Sequence, residues 1–575
     1  MLGISENSID PNALFDLPVA SWAKSHFPAQ YTLVSINSNG AKKPVSALIF
    51  VESGFRVSLL SYLVPANMRV AVGNAVEVPF GTSSKRGLVV SFSSEKGKAS
   101  KPITQVWGVR AKSSEIELAL SVAKHHFVSP EKVLVRLSPR TGKGAEPLEV
   151  GKLALRSGTK NVLPTKFSNR QVIVPGPSLD LAVVAAQEAM RLNENGQVLI
   201  LCPTVESVNA VHAMFSGGAV KLDAKALRGS WVAFRDGKAQ VGVGTRSAAL
   251  YSGDHLGSII VVDDTHPGHE EIAQPYTHAR DLALARSRVS NLKISLISPV
   301  PSAQALEGTR AAYPVGTWPK VTIADRSENG HLTAAVCPGM GKAISRANKA
   351  HRSSLVLASA SLAVRRCATC GAVRQCEECS ETRCAHLTEC TACGNKNTRV
   401  SGWDEKRLRE IFGKDVNIGS AFGSRTTVAT TVVAFDVDAM LYAPGLYPNI
   451  SAARYLWQAG MLAGGRGELV IGTTHTENQV LRDLAANRGL LPTARGSAAE
   501  ALAGNLPPYG RLITVTLQRK TKPNVASWPG SVSSPRLVKP GLWEVLVRIS
   551  KEEFLLLEPI MIKARKNSKA KIRVS

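Results

Sequence analysis

At 575 residues the chain is too long for one core, and typical domain sizes imply about four. Hydrophobic content of 44% is ordinary for a globular protein, and no run of eighteen apolar residues is present, which excludes a membrane span on expectation. The formal charge of +26, from 70 basic and 44 acidic side chains, makes nucleic acid the natural partner, with a merely soluble basic surface as the plainer alternative.

The N-terminus shows no basic segment followed by an apolar stretch, so export is not expected and the cytoplasm is the expected compartment. Residues 1–44 carry no pattern and stay unassigned. Residues 45–108 alternate in strand fashion, at Val45–Phe50, Arg56–Leu60, Ala75–Val78 and Gly87–Ser91, and predict a β-rich DNA-binding domain. Residues 109–168 change period, with helices from Ser113 and from Ser129, and read as a winged-helix-like module and linker. From Arg170 apolar strands alternate with helices: Gln171–Val174, a helix Leu179–Leu192, then Gln197–Leu201, Ala239–Val243, Ser258–Val262 and Lys293–Ile297. Such runs predict a parallel sheet covered on both faces, over 169–305. A second α/β lobe is expected over 306–365 and 399–485, with strands Ser354–Ala358, Thr427–Thr430 and Leu469–Ile471. Residues 366–398 interrupt it as a cysteine-rich insertion, and 486–575 predict a small α/β domain ending in a basic tail. That tail, Lys563–Ser575, holds six basic groups and no acid, and reads as a loose phosphate contact or a solvated end.

Two parallel lobes in tandem suggest a nucleic-acid motor, whose phosphate loop needs glycines, a Lys and a Ser or Thr. The loop after the first strand is Val174-Pro-Gly176-Pro-Ser-Leu179-Asp180. Leu179 stands where the Lys belongs, and Asp180 puts a carboxylate where phosphate would sit against the helix dipole. Asp263 and Asp264 follow another strand, where an acidic pair commonly holds Mg2+; an acidic helix cap is the alternative. Thr245 and Arg246, also at a strand end, are candidate DNA phosphate contacts or ordinary surface groups. The Gly-rich stretch around Arg466 is expected to be a turn into the strand at Leu469.

Seven of the nine cysteines fall between Cys367 and Cys393, as Cys367/Cys370, Cys376/Cys379, Cys384 with His386, and Cys390/Cys393. A two-residue gap lets both thiolates of a knuckle reach one Zn2+, so two zinc ions are expected and one at minimum. A disulfide cluster competes, but only Cys202 and Cys337 lie outside the group and no export signal precedes it.

Together with Tyr62-Leu-Val-Pro65, Gly73–Gly81, Gly244–Ala248, Val261–His266, His278–Leu282 and Leu506–Arg511, these features resemble the PriA family of replication-restart proteins, superfamily 2 helicase relatives. The resemblance runs from about residue 44 to the end, and implies two tandem RecA-like lobes, a β-domain, a zinc-knuckle insertion and a C-terminal α/β domain. The family carries Gly-Ser-Gly-Lys-Thr at Gly176–Asp180 and Asp-Glu-Glu-His at Asp263–His266, so this chain resembles a branch that lost the ATPase. The resemblance places one zinc on Cys367, Cys370, Cys390 and Cys393, and the other on Cys376, Cys379 and Cys384. His386 is the candidate for the missing eighth ligand, or else an exposed imidazole. In the family a Phe-Asp-Tyr segment reads a strand's 3′ end; here it is Leu60-Ser61-Tyr62, which leaves Tyr62 as a candidate DNA contact.

The expected function is a restart factor that binds forked and single-stranded DNA without helicase activity. The resemblance implies single-strand-binding protein, the replicative helicase and its loading proteins as partners. Alternatives are an active 3′ to 5′ helicase with a non-standard phosphate loop, and a generic zinc-ribbon nucleic-acid binder.

Overall fold

The computed structural model describes residues 45–575 except 54–55, 95, 97, 138–147, 158–161, 164–167, 223–227, 310–311, 328–335, 359–363, 368, 370–388, 391, 402–404, 414–415, 422–427 and 442–446. Five antiparallel strands come first: β1 (Ser46–Ser53), β2 (Arg56–Leu63), β3 (Asn74–Phe80), β4 (Ser83–Ser93) and β5 (Gln105–Val109). They lie in the order β2-β1-β4-β3-β5, which leaves β5 on the rim. Alternation sorts the side chains to two faces. Ala47, Ile49 and Val51 join Val76, Val78 and Ile103 in one core. Leu48, Phe50, Leu88 and Val90 turn the other way and pack with helix α1 (Ser113–His125) and the first lobe.

The first lobe is built from β6 (Arg170–Pro175), α2 (Leu181–Leu192), β7 (Gln197–Leu201), β8 (Ala219–Lys221), β9 (Val241–Gly244), β10 (Leu256–Val262), α3 (Ala279–Val289), β11 (Lys293–Ile297) and β12 (Ala312–Val315). Its sheet runs β8-β9-β7-β10-β11-β6-β12, and every pairing is parallel. Both faces are covered, which is why these strands read as unbroken Val, Ile and Leu. Ile173 faces Ala185 and Ala189 of α2, while Val172 and Val174 face the core shared with α1.

The second lobe contains β13 (Lys320–Asp325), β14 (Ser354–Leu357), β15 (Asn417–Gly419), β16 (Thr431–Ala434), α4 (Pro448–Ala463) and β17 (Glu468–Thr473). Its order is β13-β17-β16-β14-β15, again all parallel. The two sheets are parallel α/β lobes that follow one another in the chain, as the alternating strand and helix pattern predicts. One strand expected at Thr427–Thr430 lies at Thr431–Ala434 instead. Both stretches are rich in Thr and Val, but Val428 is 68% exposed while Val432 and Val433 are fully buried, and burial decides the register.

Between β14 and β15 a short antiparallel hairpin, Val364–Cys367 with Thr398–Ser401, brackets the cysteine segment. The C-terminal sheet centres on Arg511–Gln518, flanked by Leu542–Ile549 and Lys571–Val574. The basic tail is therefore not a loose end. Its Lys-Ile-Arg-Val alternation buries Ile572 and Val574 while Lys571 and Arg573 face out. Among the described residues no helix is long and apolar enough to cross a membrane.

Candidate functional site

In open α/β sheets ligands sit beyond the carboxyl ends of the strands. In the first lobe that place is the turn from β6 to α2. The Gly176, Ser178 and Leu179 amides there are already bonded to the chain. Gly176 N–H donates to Val315 O at 2.7 Å and Ser178 N–H to Thr317 O at 3.2 Å. Thr317 N–H donates in return to Ser178 Oγ at 2.7 Å. Leu179 N–H donates to Gly176 O at 3.1 Å. Asp180 Oδ1 accepts the Ala182 N–H at 2.8 Å and so caps α2 with its own carboxylate. A Cβ on Gly176 would come within 2.9 Å of Thr317 O, so the loop and the interlobe segment approach as closely as backbone allows.

The second lobe closes on this turn through α4. Trp457 Nε1–H donates to Pro175 O at 2.8 Å. Gly460 admits Pro177, whose Cγ would lie 2.8 Å from a Cβ there. Leu181 of α2 packs into the second lobe's apolar cluster beside Trp318. Arg454 Nη2 donates to Asp263 Oδ2 at 3.0 Å, in a pair whose side chains are 17% and 13% exposed. A cavity of about 400 Å3 does exist among His125, His278, Arg280, Tyr447 and Arg511, but no residue of the loop 175–180 lines it.

The acidic pair splits. Asp263, at a left-handed φ of 53°, faces Arg454 of the second lobe. Asp264 is fully buried and accepts from the Ser302 amide at 3.3 Å and from the Ser302 hydroxyl, with Arg280 Nη1 at 3.8 Å. Burial raises its carboxyl above the usual range, against Arg280 and the serine hydroxyls that hold it down. Ser302 is the N-cap of the helix Ala303–Leu306, so Asp264 anchors a helix start rather than facing the cleft. Next to it, His269 is buried with Nε2 2.8 Å from Val262 O, and burial pushes its imidazole down to about 4. Arg466 is exposed in the turn between α4 and β17, as its Gly-rich setting implies.

The candidate DNA contacts fare differently. Tyr62 is 4% exposed and its hydroxyl donates to Pro79 O at 3.0 Å, so it has no free face for a base. Its place on β2 turns it into the core of the N-terminal sheet, which corrects the reading of Tyr62 as a contact. Thr245 Oγ1 and Ser247 Oγ share a hydrogen bond of 3.2 Å. Arg246 Nη1 donates to Gly268 O at 2.9 Å and its Nε lies 3.5 Å from Glu271, so a phosphate would compete with both. One exposed aromatic went unremarked in the sequence: Trp107 on β5, with the Arg86 guanidinium 5.0 Å above its ring. A lone Trp in a five-residue strand, Gln105–Val109, carries no periodic signal.

At the cysteine hairpin, the Cys367, Cys390 and Cys393 sulfurs all lie within 4.8 Å of one another, and Cys367 and Cys393 are 3.4 Å apart. Thiolates bound tetrahedrally at about 2.3 Å from zinc stand roughly 3.8 Å apart, so the three fit one ion. Cys367 and Cys390 are buried and Cys393 is exposed. Cys370, Cys376, Cys379, Cys384 and His386 lie outside the described residues. Cys202 and Cys337 are buried among apolar side chains, away from this group.

Residues 54–139 match the 3′ DNA-binding domain (3′BD) family of PriA. The Replication restart protein PriA of Haemophilus influenzae is 22% identical over 350 residues, which is 48% of this chain and 47% of that protein. Over these stretches the chain is similar to PriA. The match spans about half the length of that curated relative. Among solved structures, S. cerevisiae Dbp5 bound to RNA and ADP BeF3 is 11% identical, with a TM-score of 0.28 over 58% of this chain and 84% of that one. The DUF1998 helicase MrfA bound to DNA is 13% identical, with a TM-score of 0.27 over 56% of this chain and 49% of that one. The segment matched to the PriA 3′BD runs from β2 through α1 and includes both Arg86 and Trp107.

Proposed function

We propose that this chain is a DNA-binding replication-restart factor that engages stalled forks and helps reload the replicative helicase without hydrolysing ATP. One observation carries the second half of the reading: the Gly176 and Ser178 amides of the loop, which a triphosphate would need, are bonded to Val315 O and Thr317 O of the same chain. The Arg454–Asp263 pair supports it, because the acid that would hold Mg2+ is answered by a guanidinium. The PriA 3′BD match and the charge of +26 support fork and single-strand binding. Single-strand-binding protein, the replicative helicase and its loaders are the partners this reading assigns, in the cytoplasm. In the same reading Cys367, Cys370, Cys390 and Cys393 hold one structural zinc, and Cys376, Cys379, Cys384 and His386 hold a second. Zinc there fixes the hairpin and supplies no reaction chemistry.

The test measures phosphate release from ATP with fork DNA present, alongside fork and duplex titrations over a salt series. The expected result is no turnover above background, fork affinity above duplex affinity, and binding that weakens steeply with salt. DNA-stimulated turnover abolished by Asp263→Ala would instead identify an active helicase. Equal affinity for fork and duplex would leave a generic nucleic-acid binder.

A further inference from the structure

We infer that Trp107 and Arg86 form a stacking platform for an unpaired nucleobase of single-stranded DNA, on the rim of the N-terminal sheet. This rests on the DNA-binding reading above and gives it a location. β5 has one neighbour in its sheet, β3, and so presents its other edge to solvent. The register between them slips at one point: Ala75 pairs with Gly108, but Val76 pairs with Val106. Trp107 is the extra residue. A bulge leaves its residue out of the ladder and re-aims its side chain, and bulges at sheet rims recur beside binding sites. Gly108, at φ 106°, supplies the backbone turn that this needs.

The indole so displaced is 43% exposed, while Val76 and Val78 on the neighbouring strand β3 are fully buried. The Arg86 guanidinium carbon lies 5.0 Å from the ring centroid, within cation–π range. Arg86 Nε is buried and has no hydrogen-bond partner. The arginine is thus held against the ring with its Nε unpaired. A ring open to solvent with a guanidinium against it fits a base on the indole and the adjoining phosphate on that cation. An acidic or apolar protein surface would match either the cation or the ring alone. A base carrying its own phosphate matches both, and the chain's charge of +26 favours the polyanion.

The experiment uses the full chain and two probes, a labelled oligothymidine and a blunt duplex of equal length, read by anisotropy. Trp107→Ala is expected to weaken oligothymidine binding roughly tenfold, the scale of one base–aromatic stack, and to leave duplex binding unchanged. Trp107→Phe keeps a ring and is expected to retain most of the affinity, while losing the share of tryptophan quenching that oligothymidine causes in the parent. Arg86→Gln, which keeps the fold if Trp107→Ala does not, is expected to weaken oligothymidine severalfold. If the parent binds DNA and Trp107→Ala and Arg86→Gln bind oligothymidine as tightly as it does, the platform is overturned while the DNA-binding reading stands. If the parent binds neither probe nor a fork, that reading fails and the platform goes with it.

Discussion

Asp180 and Leu179 differ from a motor's residues by chemistry, but the residues around them decide whether restoring that chemistry would matter. Asp180 caps α2, and Leu179 leans on the Gly316 backbone, where a Cβ would meet its Cγ at 2.7 Å. Replacing both, as L179K with D180T, supplies a cation and a hydroxyl yet leaves Gly176 and Ser178 bonded to Val315 and Thr317. No ATP turnover above background is expected from that double variant with fork DNA, measured as released phosphate; clear turnover would mean that the side chains alone silence the loop. A second residue-scale effect concerns buried imidazoles. Burial lowers His269 to about 4 and His126 to about 3, both below the ordinary 6.5 or so of an exposed histidine. As pH falls below about 6.5 the unfolded chain takes up these protons and the folded one does not, so their contribution to stability is full above that pH and lost on the way down to the folded values. At pH 5 each should contribute about 2 kcal/mol less than at pH 7.5. The stability gap between His269→Gln and the parent, from urea unfolding, should therefore narrow by about that amount at pH 5; a gap independent of pH would show that His269 takes up its proton alike in the folded and the unfolded chain.

The cysteine hairpin and α4 are elements of opposite legibility. Paired Cys-x-x-Cys spacing names its own chemistry, and the structure brings Cys367, Cys390 and Cys393 within 4.8 Å of one another. Replacing Cys367 and Cys393 by Ser should remove one zinc per chain, counted by elemental analysis of purified protein, and should loosen the hairpin Val364–Ser401 toward protease. Unchanged zinc content would move the ion to other ligands. Strands such as Gln197–Leu201 and Lys293–Ile297 are legible for a comparable reason, since burial on both faces forces an unbroken apolar run. The role of α4 is not written that way. Arg454 looks like any helical surface cation until the fold sets it against Asp263, 191 residues earlier. The bonds from Gly176 and Ser178 to Val315 and Thr317 are backbone to backbone, so no side chain announces them. Tyr62 was legible as an aromatic but not as a core residue, because its neighbours on β2 alternate too weakly to show which way it faces. The basic tail shows charge first and strand period second, and the period wins, because Ile572 and Val574 gain burial without desolvating Lys571 or Arg573.

Across the whole molecule, the N-terminal sheet, α1 and the first lobe share one apolar core, so the DNA-binding domain is not a bead on a string. A polar weld lies inside that junction. Glu115 of α1 accepts from Ser252 Oγ at 2.7 Å and pairs with Arg286 of α3 at 2.5 Å, with side chains 5% and 1% exposed. Arg286 also donates to Ala249 O at 3.1 Å. The C-terminal domain adds its own ties, Lys551 to Glu307 of the first lobe at 3.7 Å and Arg565 to the His126 carbonyl at 3.3 Å. Such a weld keeps the rim of β5 at a fixed place relative to the lobes, which the proposed fork binding needs if single strand and duplex are to be gripped together. Its energetics are asymmetric. Removing one partner strands a buried charge and should cost about 3–5 kcal/mol, whereas replacing both by apolar groups of like volume is expected to be near neutral. Arg286→Met alone should therefore lower the first thermal transition and expose the segment between α1 and β6 to protease, while Arg286→Met with Glu115→Leu should recover most of the loss. If the double variant is as unstable as the single, the junction depends on the hydrogen bonds to Ser252 and Ala249 rather than on pairing of charge. In either case the fork affinity of the single variant should fall with its docking, because the rim of β5 and the lobes would then contact DNA as two tethered bodies instead of one.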